Sequence, residues 1–311
     1  MISNNVVHHL LFDDIRNLQM VKNHDLKIFY HNVNSIKATA KFALFETFLS
    51  ELNVDFDVII LCETKLDKGS ENFYQLKGYT SFHNIRDREG GGTVIYIKDS
   101  LQPERKFKCS QDEIEFLVIF LKTVNINICS IYRPPLNLNT SYQNFFIKYE
   151  HVLNKFKNMI TFGDININIL KSDSATTLQY INLINSNNFE ILNKISSQMA
   201  TRTTDYTDTI IDHITSDIQT HKYTLCLGDS PDSDHRFLIL GIKSPQNYTS
   251  PNKTISFEQI NFAKISKNLN TITKHSNNFN DFHHALRENI KLNSVTKNFN
   301  NIKKQQSQTM V

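Results

Sequence analysis

Short apolar segments rich in Val, Ile and Phe recur along the first 245 residues of the chain. Several of them are apolar at nearly every position, which is the pattern of strands that are covered on both faces. We therefore predict strands within the segments 26–33, 56–63, 92–98, 115–122, 126–133, 159–165, 209–216 and 236–243.

Three intervening segments have helical periodicity, and these are residues 38–53, 141–158 and 174–187. The first two place apolar side chains on one face of a helix, namely Phe42, Phe45, Phe48 and Leu49 in one, and Phe145, Phe146, Tyr149 and Val152 in the other. Strands mixed with covering helices predict an α/β sandwich with large sheets. Residues 1–25 precede the first of these strands and form a predicted N-terminal extension.

The pattern changes after Lys243, because residues 244–256 are rich in Pro and small polar residues and predict a linker. The tail, 257–311, has weak helical periodicity over 257–272 and 279–292 and is rich in Asn, a poor helix former. Residues 245–311 carry nine Lys and Arg against three Asp and Glu. A basic tail after a mildly acidic body indicates a polyanion nearby, although a solvated tail fits equally well.

Composition narrows the class of protein further. Of the 311 residues, 40% are hydrophobic and 21% are charged, which is typical of a soluble globular protein. No apolar run reaches the roughly 18 residues that a membrane span needs. The N-terminus lacks the basic start and apolar centre of a signal peptide, so we expect an intracellular protein. The four cysteines lie far apart without zinc-ligand spacing, and we expect free thiols.

Polar residues collect where the apolar segments end. Taken singly, each has an ordinary explanation, since strand ends are solvated and a Ser-Asp-His tripeptide is common in loops. Together they indicate a site, because α/β folds build their sites at strand ends. Residues two apart in a strand share a face, so Asp164 and Asn166 are predicted to lie side by side. The full set is Asn32, Glu63, Tyr132, Arg133, Asp164, Asn166, Asp212, Ser233, Asp234 and His235.

This set of side chains favours a hard cation. Carboxylate and amide oxygens without thiols suit Mg²⁺ or Mn²⁺, and Mg²⁺ needs only one or two protein carboxylates. Glu63 is a candidate ligand, an Asp beside an Asn can orient a water, and a His beside an Asp can stabilise charge on a phosphate. These are the components of metal-assisted phosphodiester hydrolysis.

The order of the motifs is that of a known family. The chain contains HNVNSI (31–36), LCETKL (61–66), GGGTVIYIK (90–98), SIYRPP (130–135), TFGDININ (161–168), TR (201–202) with IIDHI (210–214), and SDH (233–235). Over about residues 26–243 it resembles the endonuclease/exonuclease/phosphatase superfamily. More narrowly, it resembles the apurinic-type endonuclease domain of LINE-like (non-LTR) retrotransposon polyproteins. The resemblance implies a DNase I-like four-layer α/β sandwich, two packed mixed β-sheets flanked by helices, here followed by a helical C-terminal extension.

The resemblance also implies a role for each matching residue in the first motifs. Asn32 orients the site and lies beside the metal, and Glu63 is the metal ligand. Tyr132 contacts the phosphate. Asp164 is the general base that activates water, and Asn166 contacts the phosphate in the transition state.

In the later motifs, Asp212 orients the catalytic His235, and Asp234 lies near the metal. Thr201 matches a threonine that touches the DNA backbone, although the family often has Pro where this chain has Ala200. A nearby residue, Thr203, is the competing candidate for that contact. We also expect contacts to DNA from Arg133 and Ser233, which flank matched positions.

The implied function is a Mg²⁺-dependent DNA endonuclease, with Mn²⁺ able to substitute. It would nick target DNA in the nucleus and expose a 3′-hydroxyl that primes a reverse transcriptase domain of the same polyprotein. Two alternatives stay open on the sequence. One is a phosphatase or phosphodiesterase of the same superfamily that acts on nucleotides or lipid head groups. The other is a non-catalytic DNA-binding fragment that relies on the basic tail.

Overall fold

A computed structural model describes residues 24–86, 90–111, 114–135, 139–193, 200–218, 223–230 and 232–243, with Val21, Ala285 and Glu288. The backbone alone is described at 6–10, 255–260 and 294–299, and the side chains at 139–141 are likewise left out. The chain divides into two compact units, residues 1–246 and 247–311. No helix among the described residues is long and apolar enough to cross a membrane.

The first sheet of the larger unit has seven strands in the order β1-β14-β15-β2-β3-β5-β4. It is mixed, because β1 lies parallel to β14 and β2 lies parallel to β3, while the other neighbours are antiparallel. The strands are β1 (Val6–Leu10), β2 (Leu26–Asn32), β3 (Val58–Cys62), β4 (Tyr79–Asn84), β5 (Thr93–Lys98), β14 (Tyr223–Gly228) and β15 (Phe237–Ile242). Part of the predicted N-terminal extension therefore supplies an edge strand of the sheet.

The second sheet has six strands in the order β10-β13-β9-β8-β7-β6, of which only β8 and β9 are parallel neighbours. Its strands are β6 (Pro103–Gln111), β7 (Ile114–Leu121), β8 (Ile126–Tyr132), β9 (Met159–Asp164), β10 (Glu190–Ile191) and β13 (Asp212–Ser216). A separate short hairpin is made by β11 (Arg202–Thr203) and β12 (Asp208–Thr209).

Helices cover the outer faces of both sheets. The helix α1 (Thr39–Glu51) buries Phe42 and Phe45 in a cluster with the outer face of the first sheet. The helices α2 (Asn139–Lys155) and α3 (Ala175–Ser186) pack in the other cluster, with the second sheet. Two 3₁₀ turns follow β3 and β5, at Glu71–Phe73 and Asp99–Leu101. The predicted four-layer sandwich of two mixed sheets and flanking helices is confirmed.

The strand ends that carry the predicted site meet at one edge of the sandwich. In the first sheet, Asn32 at the end of β2 lies beside Cys62 at the end of β3. In the second sheet, Tyr132 at the end of β8 pairs with Asp164, and Asp164 pairs with Asp212 at the start of β13. The two sheets therefore present their polar ends together, above an apolar interior.

The smaller unit differs from the prediction at its start. Ile255–Ile260 and Ser294–Phe299 form the antiparallel strands β16 and β17, whereas the sequence predicted a linker to residue 256 and a helix from residue 257. The segment ISFEQI offers Ile255 and Phe257 at strand spacing as well as Phe257 and Ile260 at helical spacing, and the strand pairing decides between them. Ala285 and Glu288 lie in a helix, and the rest of the two predicted tail helices falls outside the described residues.

Candidate active site

A single buried amide joins the two sheets at the site. The Nδ2 group of Asn32, which is 0% exposed, donates to Oε1 of Glu63 at 3.1 Å and to Oδ2 of Asp164 at 3.0 Å. The peptide N–H of Asn34 donates to Oδ1 of Asn32 at 3.2 Å and fixes the orientation of the amide. Three residues that are far apart in the sequence and were predicted to share a site are thereby in direct contact.

The turn after Asp164 differs from the prediction. The strand β9 ends at Asp164, and Asn166 adopts the left-handed conformation with φ of 50°, so the two do not share a strand face. Instead, the peptide N–H of Asn166 donates to Oδ1 of Asp164 at 3.1 Å. The Asn166 side chain donates to the carbonyl of Arg133 at 2.8 Å. Asparagine tolerates positive φ better than most residues, so it can occupy this turn. The turn leaves Asn166 partly exposed next to Asp164.

Asp212 and His235 form a buried pair beside Asp164. Nδ1 of His235 lies 2.8 Å from Oδ2 of Asp212, and Nε2 of the same ring lies 3.9 Å from Oδ2 of Asp164. The hydroxyl of Tyr30 donates to the other oxygen of Asp212 at 2.7 Å. The imidazole therefore lies between two carboxylates, and its Nε2 faces the predicted general base.

The protonation states follow from this arrangement. Burial opposes charge on His235, but the carboxylates of Asp212 and then Asp164 outweigh it and raise the pKa of His235 to about 9. Burial likewise opposes ionisation of Asp212, yet the charge and hydrogen bond of His235 hold its pKa below the usual range. Burial, followed by the charge of Asp212, raises the pKa of Asp164 above the usual range. His235 is thus a protonated imidazole paired with the carboxylate of Asp212, and the neighbouring carboxylate of Asp164 is a stronger base than usual.

The loop that carries His235 is attached to β2. The hydroxyl of Ser233 donates to the carbonyl of Asn32 at 2.7 Å and accepts the peptide N–H of His235 at 3.1 Å. The ring of His31 bonds through Nε2 to the carbonyl of His235 at 3.2 Å, and burial lowers the pKa of His31 to about 4. Ser233, which was predicted to contact DNA, has its hydroxyl engaged in holding the loop that carries His235.

Two further residues that were predicted to contact DNA are inaccessible to it. Thr201 is 0% exposed, and its hydroxyl oxygen accepts the peptide N–H groups of Ile211 and Asp212 at 3.1 and 3.0 Å. Arg133 is 1% exposed, and its guanidinium donates to the carbonyl of Ile165 at 2.8 Å and lies 4.0 Å from the Tyr142 ring. These predictions are corrected: Thr201 positions the start of β13, and Arg133 supports the turn after β9.

Asp234 and Thr203 lie at the short β11–β12 hairpin. Oδ2 of Asp234 pairs with Nε of Arg202 at 2.7 Å, and the peptide N–H of Thr203 donates to the carbonyl of Asp234 at 3.2 Å. Burial of Asp234 is modest, and the hydrogen bond from Arg202 lowers the pKa of its carboxyl. The carboxylate of Asp234 is therefore engaged with the hairpin, while Thr203 is exposed.

Glu63 lies on a second left-handed turn, directly after β3, with φ of 53°. Carbonyl groups of Gly92 and Gly91 accept the peptide N–H groups of Thr64 and Lys65 at 3.0 and 2.9 Å. The peptide N–H of Gly92 in turn donates to both oxygens of Glu115, at 3.0 and 3.1 Å.

Glu115 extends this support into the interior of the protein. It is 0% exposed and pairs with Arg86 at 3.3 Å. Glu115 was not predicted from the sequence, where its signal is a carboxylate at the start of an otherwise apolar strand. Tyr132 is also buried, and burial with the charges of Glu63 and Asp164 raises the pKa of its hydroxyl well above the usual range.

Two places at this edge have the donor chemistry for a metal ion. Asp164, Asp212 and His235 offer ligand atoms within 4.8 Å of one another, but hydrogen bonds from Tyr30, Asn32 and His235 itself already engage their oxygens. The side chain of Glu63 is 20% exposed, its Oε1 accepts from Asn32, and its Oε2 lies 3.7 Å from Nζ of Lys65, a contact that a cation arriving from solvent would replace. A carboxylate oxygen that is open to solvent suits a hard cation. The residues present therefore fit Mg²⁺ or Mn²⁺ at Glu63 better than at the imidazole.

Comparison with known proteins gives the fold but no close relative. No protein-family model and no curated protein matches the sequence. Among solved structures, the endonuclease domain of TRAS1, a telomere-specific non-LTR retrotransposon, matches at a TM-score of 0.52 and 15% identity, covering 70% of this chain and 98% of that one. The AP endonuclease LMAP from Leishmania major matches at 0.56 and 13%, covering 71% and 88%. The 3′-5′ exonuclease NExo from Neisseria meningitidis matches at 0.55 and 14%, covering 70% and 100%.

The chain has the fold of the AP endonucleases and their exonuclease and phosphatase relatives. This fold is the one that the resemblance drawn from the seven motifs implies. At such low identity it does not fix the substrate, because one fold carries several activities.

Proposed function

We propose that this protein is a divalent-metal-dependent endonuclease that hydrolyses a phosphodiester bond of DNA. The observation that carries the proposal is the Asn32 amide, which bonds Glu63 and Asp164 at once, with the His235 imidazole facing the same Asp164 oxygen. A base, a hydrogen-bond donor and a candidate metal ligand thus meet within one site. Metal-assisted attack of water on a phosphodiester uses groups of these three kinds.

The protein's own residues divide the chemistry between them. Asp164 accepts the proton of the attacking water, and burial makes its carboxylate a stronger base than a solvated one. His235, held protonated by Asp212, donates through Nε2 to a phosphate oxygen and stabilises the charge that develops there. When bound at Glu63, with Asn32 and Asp234 as further predicted neighbours, Mg²⁺ or Mn²⁺ supplies Lewis-acid stabilisation of the phosphate.

The open side of the site suits a nucleic-acid backbone. Asn166 lies on its left-handed turn, and the β11–β12 hairpin presents the exposed Thr203 and, at its tip, Tyr206 with 93% of its surface exposed. Backbone contacts of this kind position DNA without reading its sequence, and binding that neutralises phosphates weakens as salt increases.

The non-LTR retrotransposon setting is the finer part of the proposal. It rests on the order of the motifs and on the likeness to the TRAS1 endonuclease domain. In that setting the nick exposes a 3′-hydroxyl that primes reverse transcription in the nucleus, and a reverse transcriptase domain of the same polyprotein is the partner.

A plasmid-nicking assay tests the proposal. Wild-type protein with Mg²⁺ or Mn²⁺ is expected to convert supercoiled plasmid to the open circle. Asp164→Asn should lower the rate by roughly 10²–10⁴-fold, the range of general-base catalysis, while DNA binding stays within a few-fold. The matched control is Asp173→Asn, because Asp173 is an exposed aspartate two residues before α3 begins.

Parallel substrates separate the alternatives. If inositol phosphates or nucleotides are hydrolysed and plasmid is not, the protein is a phosphatase or phosphodiesterase of the same fold. If wild-type protein cuts no substrate better than Asp164→Asn does, but binds DNA, the non-catalytic interpretation holds.

A further inference from the structure

We propose that Tyr30 is a positioning residue for the Asp212–His235 pair, an inference that rests on the proposed function. Its hydroxyl donates to Oδ1 of Asp212 at 2.7 Å, while Oδ2 of the same carboxylate accepts from Nδ1 of His235 at 2.8 Å. Tyr30, Asp212 and His235 therefore form one continuous line of hydrogen bonds that ends at the imidazole edge facing Asp164.

The bond from Tyr30 restrains the orientation of the Asp212 carboxylate plane, together with the bonds from His235 and from the Thr201 side chain. The hydroxyl of Thr201 accepts the peptide N–H of Asp212 and so fixes the backbone at the start of β13. The carboxylate plane can still rotate about its own bond, because aspartate χ2 is a broad torsion. A donor on each oxygen sets that plane, and the plane sets the direction of the bond to His235.

Tyr30 is itself held rigidly. It is 0% exposed, and its ring stacks on Phe162 with centroids 6.0 Å apart and planes 24° from parallel. Tyr30 lies two residues before Asn32 on β2, and Phe162 lies two residues before Asp164 on β9. The stack thus lies one step inside the Asn32–Asp164 hydrogen bond, on the same strand faces. The strand geometry that brings Asn32 to Asp164 also brings the Tyr30 hydroxyl to Asp212.

The same facts exclude a direct catalytic role for Tyr30. Tyr30 has no exposed surface and its hydroxyl donates to Asp212, so it acts on the site through that carboxylate. Burial and the charge of Asp212 raise the pKa of the Tyr30 hydroxyl well above its ordinary value, so it remains a donor throughout the working pH range.

The test compares Tyr30→Phe with Tyr96→Phe. Tyr96 is also 0% exposed, belongs to the same sheet, and donates its hydroxyl to the carbonyl of Tyr74 at 2.8 Å. Both variants keep the ring and lose one buried hydrogen bond, so both should lower Tm, and Tyr30→Phe should lower it more because its partner is a charged carboxylate. In nicking of a DNA duplex, Tyr30→Phe should lower kcat roughly tenfold with KM within about twofold, as for loss of a hydrogen bond to a charged group. Tyr96→Phe should leave kcat unchanged.

A spectroscopic measurement separates this inference from the proposed function. In ¹⁵N-histidine-labelled protein without metal or DNA, the Nδ1 proton of His235 on Asp212 should give a downfield resonance, identified by its absence in His235→Gln. That resonance should shift in Tyr30→Phe and stay in place in Tyr96→Phe. A shift in protein that cuts no DNA would support the positioning role and reject the nuclease proposal.

Two outcomes would overturn the inference. One is an unchanged His235 resonance and an unchanged kcat in Tyr30→Phe. The other is a further tenfold loss when Tyr30→Phe is added to Asp212→Asn, because a residue that acts through Asp212 has little left to lose once that carboxylate is gone.

Discussion

The site has a buried half and an open half, and they are built differently. In the buried half, Asp164, Asp212 and His235 are at most 5% exposed, and neighbouring protein groups donate to the carboxylates. In the open half, Glu63 and Asn166 follow the ends of β3 and β9, where each adopts positive φ. The buried half is closed to solvent, whereas Glu63 and Asn166 are partly exposed although each also bonds a protein group.

The difference separates two tasks that one site has to perform. Burial and fixed hydrogen bonds shift pKa values, so the buried half sets which group carries a proton before a substrate arrives. A left-handed backbone costs of order 1–3 kcal/mol at a residue other than glycine and persists only where the surroundings enforce it. At Glu63 the supporting groups are the glycine carbonyls and Glu115, and they hold the carboxylate at the mouth of the site.

Among substitutions in the open half, Glu63→Gln is expected to have the largest effect on activity. It removes the charge that would hold the cation but leaves the buried hydrogen bonds in place. We expect roughly a hundredfold slower nicking and much weaker Mn²⁺ binding, measured by electron paramagnetic resonance. Unfolding should change little, since Glu63 is partly exposed. Glu150→Gln, on the exposed face of α2, is the control. Unchanged Mn²⁺ binding in Glu63→Gln would place the metal elsewhere.

The pH dependence of nicking examines the buried half. Activity should rise as Asp164 loses its proton and fall as His235 loses its own, giving a bell-shaped profile of kcat/KM. The charge of Asp212 raises the pKa of both groups, so Asp212→Asn should lower both values. Both limbs of the bell should therefore move to lower pH, together with a lower maximum. An alkaline limb that stays near pH 9 in Asp212→Asn would show that Asp212 does not raise the pKa of His235.

A smaller effect, on stability, concerns the support beneath Glu63. Gly90 and Gly91 both have positive φ, but a Cβ on Gly91 would overlap Oε1 of Glu115, whereas a Cβ on Gly90 meets no atom of the described residues within 4 Å. Gly90→Ala should lose only about 1–2 kcal/mol of unfolding free energy through the backbone. Gly91→Ala should lose about 1–3 kcal/mol more, because Glu115 must move. Urea unfolding measures both, and equal losses would contradict the packing of Glu115 against Gly91.

The sequence predicts the layers well because their periodicity is local. Helix α1 was expected over 38–53 and spans 39–51, and β9 was expected from residue 159 and starts there. It predicts site chemistry less completely. Polar residues at a strand end, such as Arg133, look alike in sequence whether they face solvent or turn inward. What decides is a distant partner, as with the carbonyl of Ile165 for Arg133.

The same limit explains the missed residues. Tyr30 lies within an apolar segment and Glu115 begins one, so both were predicted only as strand residues. The partners of their side chains become visible only in the folded chain. The tail shows a different limit, since Phe257 is compatible with either period and only pairing with β17 makes it a strand.

The hydrogen bonds between the sheets also bear on how the protein becomes active as it folds. Tyr30 and Asp212 are 182 residues apart, and Asn32 and Asp164 are 132 apart. Contacts of such long range form late and slowly in folding. His235 precedes β15, whose partners on either side are β14 and β2, so the imidazole is placed only when a late segment closes the first sheet. If the protein is the proposed endonuclease, a growing chain on the ribosome acquires its activity only after nearly the whole sandwich has been synthesised and closed.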